Sequence, residues 1–458
     1  MLRFRLGKAA CILKAQGTST PSTVSYRNQN MTRRFHVKST LTAALIAQFL
    51  LIGLPAAYAQ SDKASASASA SAPATPENTI RPEVGKPLLA AQDLSRAGKY
   101  KEAMAKVAET DAIPNKTPYE IYMINRVLGP IAAASGDNAA GAKAIEAAVG
   151  YDKINPAEKL RLMQVLASVY FQQKDYAKAI EWATRHLNEG GKGENIHNLL
   201  ARAYYLTGDF PHAIQEMKAD IQATEQAGKQ PGEDQLRLLG SSMLKANDRN
   251  GYGEVLEKLV ALYPKKDYWG DLLGRLFSKP GFSDRLLLDA YRLKFATGDM
   301  ETVNEYLDMS ELAMRAGFPA EAKKTLDQGF ETGVLGKGAD AAKHKKLRDA
   351  AAKTVADDQK TMAQGEAEAA KKKDGTGLVN LGYAYVTSGQ FDKGLGLMEQ
   401  GLQKGGLKHP EDAKLHLAIA YAQAGKKNEA IEKLKAVQGT DGTADLARYW
   451  TVYLNQPK

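Results

Sequence analysis

LGYAYVTSGQFDKG at 381–394 and LAIAYAQAGKKNEA at 417–430 are two copies of one pattern. Two more copies lie upstream, LASVYFQQKDYAKA at 166–179 and LARAYYLTGDFPHA at 200–213. Each begins with Leu and a small residue, places Tyr170, Tyr204, Tyr385 or Tyr421 one helical turn later, and ends on a second small residue. Gly208, Gly389 and Gly425 stand one turn beyond the Tyr, where a chain leaving a helix needs positive φ. The pattern suits two helices joined by a tight turn. Ala167, Ala201, Gly382 and Ala418 in the first helix, and Ala179, Ala213, Gly394 and Ala430 in the second, let the pair approach closely. The Tyr fills the gap between neighbouring pairs.

These residues resemble the tetratricopeptide repeat family, whose unit is a helix-turn-helix of about 34 residues. The same frame laid over the chain puts unit starts near 84, 122, 160, 194, 233, 267, 303, 337, 375 and 411. Ala91, Gly129, Gly240, Gly274 and Ser310 take the small position in weaker copies, and Leu239-Gly240 with Pro264 keep the family's spacing in the fifth. The unit near 337 has His344 there and an Ala/Lys/Asp-rich course, and is kept because the gap is one repeat long. SKPGFS at 278–283 interrupts the sixth unit, and Leu286, Leu287, Ala290, Tyr291 and Leu293 resume the helical spacing. Leu446, Tyr449, Trp450, Tyr453 and Leu454 form a last apolar stripe. A stack of repeats leaves its final face open, so this stripe is expected to cap it. The resemblance implies an all-α, right-handed α-solenoid of about ten units over 84–458, with about 20 helices, no sheet and a C-terminal capping helix.

Composition places that array behind a leader. The 458 residues are 44% hydrophobic and 25% charged, which excludes wholesale disorder. The formal charge of +10 is concentrated: eight of the 62 Lys and Arg precede Asp62, the first acidic residue, which leaves 54 against 52 acids in the rest. A body so nearly neutral argues against nucleic-acid binding. Arg33, Arg34 and Lys38, the uncharged run 41–54 and Ala57-Tyr58-Ala59 form the three parts of a secretory signal peptide, with cleavage expected after Ala59. Met31 sits where such a signal starts, making 1–30 an upstream extension and 31–59 the signal. An uncleaved anchor or a mitochondrial presequence is the competing reading. The apolar run is short for a membrane span, so no stable span is expected after cleavage. The Ala/Ser/Pro-rich stretch 60–83 reads as a disordered linker. Cys11 is the only cysteine and lies in the leader, so an exported chain would carry no disulfide. A periplasmic or secreted location follows.

No catalytic pattern appears. None of the seven Gly-Lys pairs precedes Ser or Thr, so there is no phosphate-cradling loop, and neither His-Glu-x-x-His nor Gly-x-Ser-x-Gly occurs. The histidines from His186 onward never stand four apart, as two metal ligands on one helix would. We therefore expect no enzyme, no cofactor and no metal.

The resemblance implies that the concave face, lined by the first helix of each unit, binds a protein or peptide. Some members clamp a terminal carboxylate with Lys and Asn four residues apart, but the equivalent pairs here, such as Asn198/Arg202 and Val379/Tyr383, do not match. The expected groove residues are Arg126, Arg161, Gln164, Asn195, Asn198, Arg202, Tyr205 and Arg237 of the second to fifth units. Arg and Asn suit peptide carbonyls and carboxylates. In the last two units Val379, Tyr383, Val386, Leu415 and Ile419 make this face apolar, which points to a hydrophobic contact or to packing against the cap. The leading function is a non-enzymatic scaffold in an envelope assembly; such exported repeat proteins resemble those accompanying TonB-type systems. The alternative is a groove for a small molecule or polysaccharide.

Overall fold

In the computed structural model, residues 79–456 are described. The leader and the tether up to residue 78 lie outside them. The described residues hold 20 α-helices and no strand. Nine helix pairs follow one another: α1 Pro82–Arg96 with α2 Tyr100–Ala108, α3 Pro118–Ser135 with α4 Asn138–Val149, and α5 Pro156–Gln172 with α6 Tyr176–Asn188. Then come α7 Glu194–Thr207 with α8 Phe210–Gln226, α9 Glu233–Lys245 with α10 Arg249–Leu262, and α11 Lys266–Phe277 with α12 Leu287–Ala296. After α13 Val303–Ala316 and α14 Pro319–Glu331 a lone helix, α15 Ala341–Lys371, precedes the pairs α16 Thr376–Thr387/α17 Phe391–Lys404 and α18 Pro410–Gln423/α19 Lys427–Lys435. The chain ends on α20 Thr443–Asn455.

The close approach expected from the small residues is most complete in α16 and α17. A Cβ on Gly382 would lie 2.6 Å from the Gly394 carbonyl oxygen, and one on Gly394 2.5 Å from that of Gly382. Ala167, Ala201, Ala418, Ala179, Ala213 and Ala430 are all fully buried. The first unit starts at Pro82, two residues inside the expected linker, because Arg81 is already tied to the array. Its side chain donates to both carboxylate oxygens of the buried Glu120, each at 2.9 Å. That hydrogen bonding holds the Glu120 carboxyl down at about 2. Lys174 stands where Gly208, Gly389 and Gly425 stand, and it too is left-handed, with φ of +63°.

Two expectations fail. Gly274 has no neighbour within 4 Å that a Cβ would meet, so its smallness serves no helix contact. The unit near 337 is not a helix-turn-helix: 341–371 is one 31-residue helix. Its buried residues His344, Ala351, Met362 and Ala369 recur at steps of seven and eleven, each close to a whole number of turns. One narrow stripe therefore seats the helix between its neighbours, and the Ala- and Lys-rich remainder stays in water.

The stripe on α20 does more than cap. It packs on α18 and α19, but also on α10 and α12. From α10 onward each helix contacts the next, and α20 returns to α10, so α10–α20 form a closed ring. Arg448 clasps Glu257 with two hydrogen bonds of 2.7 and 3.0 Å. Arg285 reaches Asp412 at 2.7 Å and also bonds Asp441, while Lys279 meets Asp445 at 2.5 Å. The SKPGFS break is the receiving loop: the Ser283 amide donates to the Asp441 carbonyl at 2.9 Å.

Candidate functional site

The eight expected groove residues fall into separate groups. Arg126 on α3 is committed: its Nε donates to Glu158 Oε1 at 2.8 Å, and both side chains are only 11% exposed. Arg161, one turn along α5, lies 3.9 Å from the other Glu158 oxygen and is mostly in solvent. Tyr205 on α7 shares a 2.9 Å hydrogen bond with Ser241 on α9, and Arg237 on α9 lies 3.9 Å from Asp234. Asn195 is exposed, and Gln164, Asn198 and Arg202 are half-buried. Among the described residues Arg202 makes no ion pair.

Three of the four repeat tyrosines join neighbouring units. Tyr170 donates to Glu146 of the preceding pair at 2.5 Å, Tyr421 to Glu399 at 2.6 Å, and Tyr385 to Glu366 of α15 at 3.3 Å. A Lys from the following helix lies over the Tyr170 and Tyr385 rings, Lys178 at 4.7 Å and Lys393 at 4.4 Å. In the fourth unit His212 takes the same place and stacks on Tyr204. A cation or His eight residues after the Tyr was the available signal for this latch.

The apolar positions of the last two units are covered by the ring. Val379, Tyr383, Val386, Leu415 and Ile419 are all at most 3% exposed. Tyr383 lies edge-on to Phe318, the residue that precedes α14, and beneath the guanidinium of Arg292 on α12, 4.4 Å from its ring centre. Arg292 is itself 2% exposed. It donates from Nε and Nη2 to the two Glu321 oxygens, each at 2.7 Å, and from Nη1 to Asp289 at 2.6 Å. His416 on α18 closes the cluster at 2.9 Å from Asp289. Burial alone would raise the Asp289 carboxyl, but His416 and Arg292 hold it at about 2. Burial pushes the Tyr383 phenol upward, and the Arg292 guanidinium stays protonated because Glu321, Tyr383 and Asp289 outweigh its desolvation.

Beside this cluster lies a partly open cavity of about 750 Å³. Helices α12, α13, α14, α16, α17, α18, α19 and α20 all contribute to its wall. Trp450, Tyr453 and Leu454 of α20 belong to that wall, so the helix that closes the ring also completes the cavity. Among the described residues no group of three or more His, Cys, Asp or Glu is placed to hold a metal ion, and no helix is long and apolar enough to cross a membrane.

The tetratricopeptide repeat family model matches residues 126–195 and 379–445. The first stretch runs from α3 into α7 and contains Arg126, Arg161, Gln164 and Asn195; the second covers the last two helix pairs and the start of α20. No curated protein matches the chain. Among solved structures the chain is similar to a tetratricopeptide repeat protein from Parabacteroides merdae, at 13% identity and a TM-score of 0.33, over 59% of this chain and 98% of that one. It is also similar to the C-terminal part of a TPR repeat-containing protein from Cytophaga hutchinsonii, at 14% identity and a TM-score of 0.30, over 71% of this chain and 98% of that one.

Proposed function

We propose that the chain is a non-enzymatic, exported scaffold that holds a partner protein on the first helices of its second to fifth pairs, within an envelope assembly such as a TonB-type system. Tetratricopeptide repeats in general point to protein partners, and two stretches of this chain match that family. The observation that carries the choice of surface is the contrast between α7 and its counterparts. Asn198 and Arg202 remain half-exposed, whereas the residues at the same repeat positions in α16 and α18 are buried inside the ring. Arg202 has its charge uncommitted, and Arg161 keeps most of its side chain in water. An acidic segment or a chain terminus is the matching ligand, held by charge-assisted hydrogen bonds at a few anchors.

The test reverses Arg161 and Arg202 to Glu together. Arg126 is left alone, since Arg126→Glu would face the buried Glu158 and change folding as well as binding. Capture from an envelope extract should identify a partner, and the double variant should bind that purified partner at least about tenfold more weakly, with a flatter salt dependence. Equal affinity and an equal salt slope in a folded double variant would remove this face from consideration.

A further inference from the structure

We propose that the partly open cavity lined by α12–α14 and α16–α20 is a binding site for a small amphipathic carboxylate: an acid with an aromatic or aliphatic body. This inference is independent of the partner face, which lies on other helices.

The volume of about 750 Å³ is that of a site for a small organic molecule rather than for a folded partner. The cavity is partly open to solvent, so a small molecule can enter while the contacts between α20 and α10 stay in place.

The wall selects the body. Phe295, Val386, Phe391, Trp450, Tyr453 and Leu454 line it. Phe391 is 38% exposed, one of five large apolar side chains left so open among the described residues. These side chains gain from covering an apolar group, and Thr325, Gln328, Thr387, Gln423 and Gln456 supply polar groups beside them.

The charges select the head group. The lining contains one carboxylate, Glu321, and both its oxygens are already bonded to Arg292. Lys324 and Lys427 also line the cavity, and among the described residues neither makes an ion pair. The committed pair cancels and two ammonium groups remain, so the cavity favours an anion over a cation or a neutral ligand. Trp450 adds a separate indication. It is 4% exposed, lines the cavity, and its buried indole N–H has no acceptor. A buried donor without a partner is costly, and a ligand oxygen is the kind of group that would satisfy it.

The experiment uses the purified full chain with indole-3-propionate and decanoate, measured by calorimetry. Indole-3-propionamide and decylamine serve as the neutral and cationic counterparts. Both acids should bind at one site per chain, at least about tenfold more tightly than the amide or the amine. The Lys324→Gln/Lys427→Gln variant should lose about tenfold in affinity for the acids and leave the weak binding of the amide unchanged. Ala422→Phe, which adds a ring inside the wall, should abolish binding of acid and amide alike, with circular dichroism and melting confirming that both variants are folded. Equal binding of acid, amide and amine would overturn the proposal. So would an absence of binding by either acid, or acid affinity that neither variant changes.

Discussion

Replacing Arg292 by Met tests whether the ring depends on its buried ion cluster. Met fills part of the same volume but supplies no donor, so the three hydrogen bonds at 2.6, 2.7 and 2.7 Å to Asp289 and Glu321 disappear together. Asp289 would keep His416 at 2.9 Å, whereas Glu321, 7% exposed, would lose both of its side-chain hydrogen bonds. Removing one member of a buried pair costs about 3–5 kcal/mol, mostly because the remaining charge is stranded. Against a total of about 5–15 kcal/mol for an ordinary domain, that is enough to uncouple the ring from the rest of the array. Urea denaturation followed by fluorescence can see this, because Trp269 and Trp450 lie in the ring and Trp182 in α6. In a Trp182→Phe background the ring transition of Arg292→Met should move to much lower urea. Adding Glu321→Gln should recover about 1–3 kcal/mol, since an amide costs less to leave unpaired than a carboxylate. A ring transition within about 1 kcal/mol of the parent, or no recovery on adding Glu321→Gln, would refute the reasoning.

Closure should respond to charge at the α10–α20 contact: Glu257→Arg turns the clasp with Arg448 into a repulsion. Hydrogen exchange across 443–455 should then accelerate about tenfold, a loss of roughly 1.4 kcal/mol, with 118–226 unaffected. Asp299 gives the pH dependence. Burial, with Glu301 and Glu305 nearby, raises its carboxyl from 3.8 to about 6 despite Lys294 at 3.8 Å. Its folded pKa is above the unfolded one, so its contribution is fully present below 3.8 and is lost as pH rises through about 6. Asp299→Asn should therefore stabilise the protein by about 1–3 kcal/mol at pH 7 and by little at pH 4, measured by denaturation at the two pH values.

The helix pairs were legible because the forces that form them are local. Small residues at Ala201 and Ala213, a Tyr between them and a Gly at the turn are all within one unit, and the structure buries both alanines completely. Even Lys174 obeys the pattern, taking a left-handed φ where its counterparts are glycine. Periodicity failed at 341–371 for a physical reason: an Ala- and Lys-rich segment supports one long helix as readily as two short ones. The ring was not legible, because periodicity says nothing about where a chain returns. Arg285 and Asp412 are 127 positions apart, and Arg448 and Glu257 are 191. Asp289 and Arg292 stand i, i+3 on α12, a spacing common at helix surfaces, yet both side chains are 2% exposed. Their one sequence signal was position, a charged pair embedded in LLLDAYRL at 286–293.

What distinguishes α5 and α7 from α16 and α18 is the residue type at two repeat positions. In α5 they hold Gln164 and Ser168, and in α7 Asn198 and Arg202; in α16 and α18 they hold Val379/Tyr383 and Leu415/Ile419. Polar groups at these positions must stay hydrated or find partners, so closing the array over Arg202 and Asn198 would strand their donors at a cost of a few kcal/mol. Apolar groups there carry the opposite bias, since each gains about 1.5–3 kcal/mol when covered. Tyr383 combines both rules: its ring is covered by Phe318 and Arg292, and its hydroxyl accepts a hydrogen bond from Gln423 at 3.2 Å. The same helix-turn-helix unit thus leaves this pair of positions hydrated in α7 and covers it in α16 and α18, according to what two side chains require of water.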